Sequence, residues 1–192
     1  MHRVYIIEGL DRLGKSTLIE NIQRECGFYQ TVHMSKPKKL PFYEKQSKPD
    51  LASGAIENQS LWLYQRDSFI TMFNLIHSDA HLIFDRAHLG ESVYAPLYRG
   101  YSGDYVFDLE RAMNVSDAEG VRLILLVEDF KTSKHFVDDG ESFDITKREQ
   151  EQQMFLKAVS RSRFKDKKVI CVTDTATGQF RNELDILKEA IE

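Results

Sequence analysis

The sequence has few of the residues that cross-link a protein or anchor it in a membrane. Its only two cysteines among 192 residues, Cys26 and Cys171, stand far apart in apolar patterns. That placement predicts core positions rather than a disulfide or a metal pair. No apolar run is long enough to cross a bilayer, and the chain begins with a strand pattern rather than a signal sequence. We therefore expect a cytoplasmic protein with no membrane partner.

Basic residues are also fewer than acidic ones. There are 26 Lys and Arg against 30 Asp and Glu, a net charge of −4. This argues against a protein that coats nucleic acid, because such binding neutralises many phosphates with basic residues. One stretch, residues 36–48, is locally basic and holds Lys36, Lys38, Lys39, Lys45 and Lys48. It is either a solvated loop or a loop that handles an anionic substrate.

Apolar strand patterns alternate with helical patterns along the whole chain. The composition is ordinary for a globular protein, with 42% hydrophobic and 29% charged residues, and the length suits one domain covering residues 1–192. Strands that alternate with helices favour a parallel sheet. We predict an α/β fold in three layers, a five-stranded parallel sheet with helices on both faces. The strand patterns lie at 4–7, 29–34, 81–84, 122–127 and 168–172.

Four helical patterns fill the gaps between these strands. The first follows residue 15 and ends at Gly27, and longer ones cover about 55–77 and 147–163. The last repeats apolar residues at intervals of four, three and four. We expect the apolar stripes of the first and last helices to be core, at Leu18, Ile19, Ile22 and Cys26, and at Phe180, Leu184, Leu187 and Ile191.

The most informative motif lies between the first strand and the first helix. A glycine-rich loop in that position can wrap its backbone N–H groups around a polyphosphate, and the following helix points its positive end at the same anion. Lys15 is expected to reach the β- and γ-phosphates, and Ser16 to hold Mg²⁺. The predicted ATP-binding loop comprises Gly9, Leu10, Asp11, Arg12, Leu13, Gly14, Lys15, Ser16 and Thr17.

Asp85 and Arg86 come directly after the third strand pattern. Ligands of parallel α/β sheets bind at the carboxyl ends of the strands, so this position favours a functional pair over a surface salt bridge. Asp85 is expected to help organise Mg²⁺, and Arg86 to grip a phosphate. Residues 129–148 follow the fourth strand with mixed charge and little periodicity, which predicts a mobile lid over a phosphate site.

These motifs together resemble the thymidylate kinase family of P-loop nucleotide kinases. The loop matches that family's loop, and Asp85-Arg86 falls on its Asp-Arg motif. The resemblance implies that Asp11 approaches the substrate sugar and that Arg12 is a catalytic arginine carried by the loop. Residues 173–177 after the fifth strand resemble the loop that borders the adenine of ATP, although they equally suit a helix-capping turn.

The resemblance also implies an acceptor site. The family places an aromatic residue four positions before an arginine on one helix, both facing the base, and Trp62 and Arg66 have that spacing. Four residues is one helical turn, so the two side chains share a face. Tyr94 stands nine positions after Asp85, where the family has the aromatic floor under the deoxyribose. The alternative for all three residues is helix packing with a surface arginine.

Two features depart from the family pattern. The Arg-Glu-Pro-Gly segment after the second strand is absent, which removes the arginine that holds the acceptor phosphate. Lys36 or Lys38 would have to take its place. Ala87 and His88 also stand where the family has a tyrosine. The segment from residue 85 to residue 100 resembles phage-type members more than cellular ones.

The implied activity is phosphorylation of a deoxynucleoside monophosphate, thymidylate or a related pyrimidine, with ATP and Mg²⁺ as cofactors and Lys15, Arg12 and Asp85 as catalytic groups. Charge stabilisation and positioning suffice because the acceptor is already anionic.

A nucleoside kinase needs a general base and is disfavoured, because residues 29–42 contain no Asp or Glu, although Asp85 remains available. A phage kinase that acts on a hydroxymethylated base or a strand end in DNA also stays open. A switch GTPase is disfavoured, because the sequence has no Asn-Lys-x-Asp motif and no Asp-x-x-Gly after the third strand. A homodimer is suggested only by analogy with the family.

Overall fold

The computed structural model describes residues 2–34, 51–134 and 144–192, and only the backbone of residues 51–60. Its centre is a five-stranded sheet in which every neighbouring pair is parallel. The strand order is β2-β3-β1-β4-β5. The strands are β1 (Val4–Gly9), β2 (Gln30–His33), β3 (Leu82–Asp85), β4 (Val121–Val127) and β5 (Asp166–Cys171).

The described residues contain six α-helices, five between successive strands and one after β5. A π-helix, Ala95–Arg99, directly follows the third of them, and single turns of 3₁₀-helix cover Val115–Asp117 and Ile145–Lys147. None of the described helices is long and apolar enough to span a bilayer. The helices are α1 (Lys15–Cys26), α2 (Leu51–Ile76), α3 (Leu89–Tyr94), α4 (Tyr105–Ala112), α5 (Arg148–Arg161) and α6 (Glu183–Ile191).

The core lies on both faces of the two central strands. All six residues of β1 and all seven of β4 are buried, as expected for a parallel sheet covered by helices on each side. Fully burying one such aliphatic side chain contributes about 1.5–3 kcal/mol, so these two strands supply much of the hydrophobic stabilisation. The predicted α/β class and the five parallel strands are confirmed.

The register of the sheet positions the candidate site. Ile7 of β1 is paired with Asp85 of β3, and Asp85 is paired on its other side with His33 of β2. The segments that follow β1, β2 and β3 therefore leave the sheet side by side at one edge. This is the edge at which ligands of open parallel sheets bind.

The expected core stripes are confirmed in the first helix and wrong in part of the last. Leu18, Ile19 and Ile22 of α1 are buried. Phe180, however, lies ahead of α6 and is 44% exposed, and Leu184 is 63% exposed. The helix begins only after Asn182, whose side chain accepts a hydrogen bond from the Leu184 N–H. Capping by Asn182 sets both the start of the helix and the direction of its buried face.

Some predictions fall outside the described residues. Lys36 and the lysine-rich stretch 36–48 are among them, as are residues 135–143 of the predicted lid at 129–148. Cys26 and Cys171 are each half-buried against the hydrophobic core.

Candidate active site

The loop between β1 and α1 has a backbone that depends on glycine at two positions. Gly9 has φ 140°, and a Cβ placed there would lie 2.6 Å from the Leu126 carbonyl oxygen of β4. Gly14 has φ 78° and is the N-cap of α1. A side chain at either position would strain the loop. The loop therefore runs close along β4 and delivers the first-turn N–H groups of α1 to one point at the sheet edge.

Lys15 is buried inside this loop. Its Nζ donates to the Gly9 carbonyl at 3.0 Å and to the Leu10 carbonyl at 2.6 Å. Burial and the nearby Arg86 guanidinium lower the pKa of Lys15 to about 8. The ammonium group is thus concentrated positive charge surrounded by loop backbone. Ser16 and Arg12 flank it with exposed side chains.

Asp11 and Arg86 connect the loop to the end of β3. The Arg86 Nη2 donates to Asp11 Oδ1 at 2.5 Å, and the Arg86 N–H continues the sheet by donating to the Ile7 carbonyl. Arg86 has φ 65°, a left-handed conformation that is uncommon for a residue with a side chain. Burial is the largest single influence on Arg86 and lowers its pKa, but the Asp11 carboxylate, Tyr94 and Asp85 together outweigh burial, so the pKa of Arg86 is raised.

Asp85 makes a contact that its neighbours in the sequence do not suggest. Its Oδ2 lies 2.7 Å from Nδ1 of His33, the last residue of β2, whose imidazole is half exposed. The pairing follows from the parallel register, which places the two residues side by side. Sequence analysis missed His33, because 52 residues separate it from Asp85 and only strand order brings them together.

A cavity of about 290 Å³ opens beside the loop at this edge of the sheet. Four predicted site residues line it: Gly9, Asp11, Arg86 and Tyr94. Tyr94 packs edge-on against Phe155, with 5.8 Å between ring centroids, and burial raises the pKa of its hydroxyl. The volume suits a nucleobase with its sugar better than a larger ligand.

The helix α2 turns a different pair of residues toward this cavity than the sequence analysis expected. Gln65 and Phe69 line it, whereas Trp62 and Arg66 are absent from its wall. The Trp62 ring packs edge-on against Tyr105, and Arg66 lies over the Trp62 ring while its guanidinium donates to Asp67. A signal was present in the sequence: Gln65 interrupts a buried stripe formed by Leu61, Phe69, Met72, Phe73 and Ile76.

Gln65 is 8% exposed and lines the cavity. An amide offers one acceptor and two donor hydrogens at the cavity wall. It is therefore suited to a ligand that presents a donor and an acceptor side by side.

A cluster around Glu91 forms another part of the wall. The Glu91 carboxylate is buried and accepts hydrogen bonds from Arg99, from Tyr101 at 2.5 Å and from Tyr105 at 3.3 Å. Arg99 ends the π-helix and lies on the same cavity. Short π-helices are frequent at functional sites because they change the direction of side chains. Burial and the bond to Glu91 raise the pKa of Tyr101 to about 12.

His88 lies close to Glu91 in the sequence, but its side chain is not part of the cavity wall. It is fully buried with Glu110 as its partner at 2.6 Å, among the rings of Phe69, Phe73 and Phe164. The Glu8 carboxylate accepts hydrogen bonds from the N–H groups of Leu89 and Gly90, the first two residues of α3. Burial raises the pKa of Glu8. His88 therefore has a structural position, whereas Glu91 lies on the cavity.

A second, smaller cavity of about 170 Å³ lies on the other side of the loop. Gly14 and Thr17 form one wall, and Phe180 with Arg181 forms the other. Residues 173–177, the predicted adenine border, form the turn that leads to this wall, with Thr173 bridged to Phe180. Among the described residues, no cluster of three or more His, Cys, Asp and Glu has the arrangement of a metal site.

Comparison with known proteins supports the fold and little else. No protein-family model matches the chain, and no curated protein matches its sequence. Two solved structures resemble it over nearly the whole length. The YorR protein from Bacillus subtilis, solved in complex with phosphorylated GDP, is 17% identical with a TM-score of 0.59, covering 98% of this chain and 93% of YorR. Thymidylate kinase from Candida albicans is 14% identical with a TM-score of 0.57, covering 97% and 88%.

At these identities the likeness defines the architecture and not the substrate. The strand order, the loop after β1 and the helices on both faces are all part of that architecture. The chain has a three-layer α/β fold like that of these two solved structures.

Proposed function

We propose that this protein transfers the terminal phosphoryl group of ATP to a deoxynucleoside monophosphate, with a pyrimidine as the preferred base. One observation carries the proposal: the buried Lys15 loop and the Asp11–Arg86 pair meet at the mouth of a cavity of nucleoside size. A phosphate donor held by the loop and an acceptor held in the cavity would be brought end to end there. Such positioning is the main requirement for phosphoryl transfer.

On the donor side, Lys15 and Arg12 neutralise the migrating phosphoryl group. Ser16, at the start of α1, and Asp85, at the end of β3, would hold Mg²⁺, which would neutralise charge on the phosphates. The smaller cavity beside Gly14 and Phe180 takes the base of the donor. Its planar aromatic wall suits a purine.

On the acceptor side, Arg86 binds the acceptor phosphate and Tyr94 lies against the sugar. Gln65 pairs with the base, because an amide at the cavity wall matches the adjacent N3–H and O4 of thymine or uracil. Trp62 does not touch the acceptor but packs against Tyr105, whose hydroxyl donates to the Glu91 carboxylate on the cavity wall. Lys36 remains the proposed second anchor of the acceptor phosphate.

The test is a transfer screen with labelled ATP and Mg²⁺ over all nucleosides, all mononucleotides and hydroxymethylated DNA. Phosphorylation of a pyrimidine deoxynucleotide supports the proposal, and phosphorylation of none of these acceptors contradicts it. A DNA acceptor would show binding that weakens steeply with salt, since many phosphates are neutralised, whereas a free mononucleotide would not.

The contact between His33 and Asp85 favours one second candidate, a kinase for a hydroxyl acceptor such as a nucleoside. A hydroxyl must lose its proton during transfer, and a histidine oriented by a carboxylate is suited to accept it. Asp85 would then orient His33 instead of organising Mg²⁺. In that case His33→Asn abolishes transfer to nucleosides, whereas for a mononucleotide acceptor the same variant retains most activity.

A further inference from the structure

One buried arginine joins the phosphate loop to two other parts of the fold. Arg148 is the first residue of α5 and is 6% exposed. Its Nη1 donates to the backbone carbonyl of Asp11 at 3.1 Å, and its Nη2 donates to the carboxylate of Glu128, directly after β4. The guanidinium therefore spans the loop, the end of β4 and the start of α5.

The partner of Arg148 is itself held on several sides. The second carboxylate oxygen of Glu128 accepts from the Ser133 hydroxyl at 2.9 Å. The Gln152 side chain forms two bonds with the Glu128 backbone, accepting from its N–H and donating to its carbonyl, both at 2.8 Å. A buried ion pair with this many satisfied groups is rigid, so the donor offered to the Asp11 carbonyl is fixed in place.

The carbonyl of Asp11 matters because it controls the next amide. The Asp11–Arg12 peptide is trans and planar, so its C=O and the Arg12 N–H point in opposite directions. Arg12 has φ 66°, a left-handed conformation that residues with side chains adopt only when the surroundings impose it. The bond from Arg148 supplies such a constraint.

We propose that Arg148 is a positioning residue for anion binding: by holding the Asp11 carbonyl, it turns the Arg12 N–H toward the terminal phosphates of a bound nucleoside polyphosphate. The inference rests on the proposed function of the loop. It assigns Arg148 a role through loop backbone and requires no contact between its guanidinium and the nucleotide.

The chain contains a matched control for this arginine. Arg122, near the start of β4, is 5% exposed and also donates to one carboxylate, Asp166 at 2.9 Å, and one backbone carbonyl, Ala190 at 3.0 Å. It lies at the opposite end of β4 from Glu128, away from the phosphate loop. Asp166 is 34% exposed whereas Glu128 is buried, so Arg122→Met should destabilise the protein less than Arg148→Met. Of the two, only Arg148→Met removes a donor from the phosphate loop.

The experiment compares Arg148→Met with Arg122→Met, measuring the binding of ADP and of pyrophosphate with Mg²⁺ by calorimetry and the unfolding of each variant in urea. We expect Arg148→Met to weaken both ligands about tenfold, the effect of one lost hydrogen bond, and Arg122→Met to change neither by more than about twofold. The double variant Glu128→Met/Arg148→Met removes both buried charges. It should recover stability relative to Arg148→Met without recovering binding, because the Asp11 carbonyl still lacks its donor.

Unchanged binding in Arg148→Met, or equal weakening in Arg122→Met, overturns the positioning role while leaving the proposed function in place. Recovery of binding in the double variant also overturns it, since the effect would then be an unpaired charge. A wild-type protein that binds neither ADP nor pyrophosphate overturns the proposed function, and the positioning role with it.

Discussion

Arg86 at the end of β3 donates a 2.5 Å hydrogen bond to the carboxylate of Asp11 in the phosphate loop. The two side chains are both more than a third exposed, so the pair contributes at most about 1 kcal/mol to folding. Its importance lies in its location, between the proposed donor and acceptor subsites. Asp11→Asn should consequently change function more than stability.

We expect Asp11→Asn to raise the acceptor KM about tenfold, because Arg86 loses the carboxylate that orients it. Urea unfolding should change by less than about 1 kcal/mol. Steady-state kinetics with the acceptor varied at saturating ATP measures the first effect. Asp108→Asn, which removes a carboxylate from an exposed pair on α4, serves as the control. Equal acceptor KM values in the two variants would contradict the role of the pair.

Replacing Lys15 tests the phosphate loop itself. Lys15→Met keeps the length of the side chain and removes its charge, so kcat should fall about 100- to 1000-fold while the protein remains folded. Lys165→Met, on an exposed surface residue, should leave kcat unchanged. Circular dichroism confirms the fold of both variants. A Lys15→Met protein with normal turnover is incompatible with the proposed function.

The lowered pKa of Lys15, about 8, gives two pH effects of opposite sign. The charged ammonium is lost as the pH rises through about 8, so kcat/KM for ATP should decline there. Stability should instead increase between about pH 8 and pH 10.5, because the unfolded lysine still binds a proton that the folded one has released. Urea unfolding of wild type and Lys15→Met across this range isolates the contribution of Lys15. Parallel stability curves would show that the pKa is not lowered.

Substitutions on α2 test which residues contact the acceptor base, the cavity-lining Gln65 and Phe69 or the pair predicted from sequence, Trp62 and Arg66. Gln65→Leu has similar volume and should raise the acceptor KM about tenfold with little change in the KM for ATP, because the base loses its hydrogen-bond partner. Arg66→Leu, one position further along the helix, should have less than a threefold effect. A larger effect at Arg66 than at Gln65 would instead favour the pair predicted from sequence, Trp62 and Arg66.

The buried pair of His88 and Glu110 should matter for stability alone. The Glu110 carboxylate accepts from His88, from the Ser162 hydroxyl and from the Arg163 N–H, so Glu110→Leu leaves three buried donors without a partner. We expect a loss of about 3 kcal/mol in unfolding free energy. Asp108→Leu, on the exposed side of the same helix, should cost less than about 0.5 kcal/mol. An undisturbed Glu110→Leu protein would mean that the pair is dispensable.

Several site residues were accessible from the sequence because their chemistry is local. The loop from Gly9 to Thr17 is contiguous, and glycine at both ends is required by backbone angles that only a few neighbours determine. Asp85 and Arg86 follow a strand whose apolar run is unmistakable. His33 and Gln65 were not accessible in the same way. His33 meets Asp85 only because β2 pairs with β3, and Gln65 faces the cavity only because α2 docks with that face inward.

The amino-acid sequence by itself determined the class of the fold, its five strands and the position of the phosphate loop, because strand periodicity and glycine placement are properties of neighbouring residues. It did not indicate α3 and α4, which lie between β3 and β4. Tertiary structure alone decided which side chains share the cavity and which arginine donates a hydrogen bond to the loop. Those contacts, such as Arg148 with Asp11 across 137 residues, depend on strand order and helix rotation. Both are set by the packing of the whole core, which no local pattern encodes.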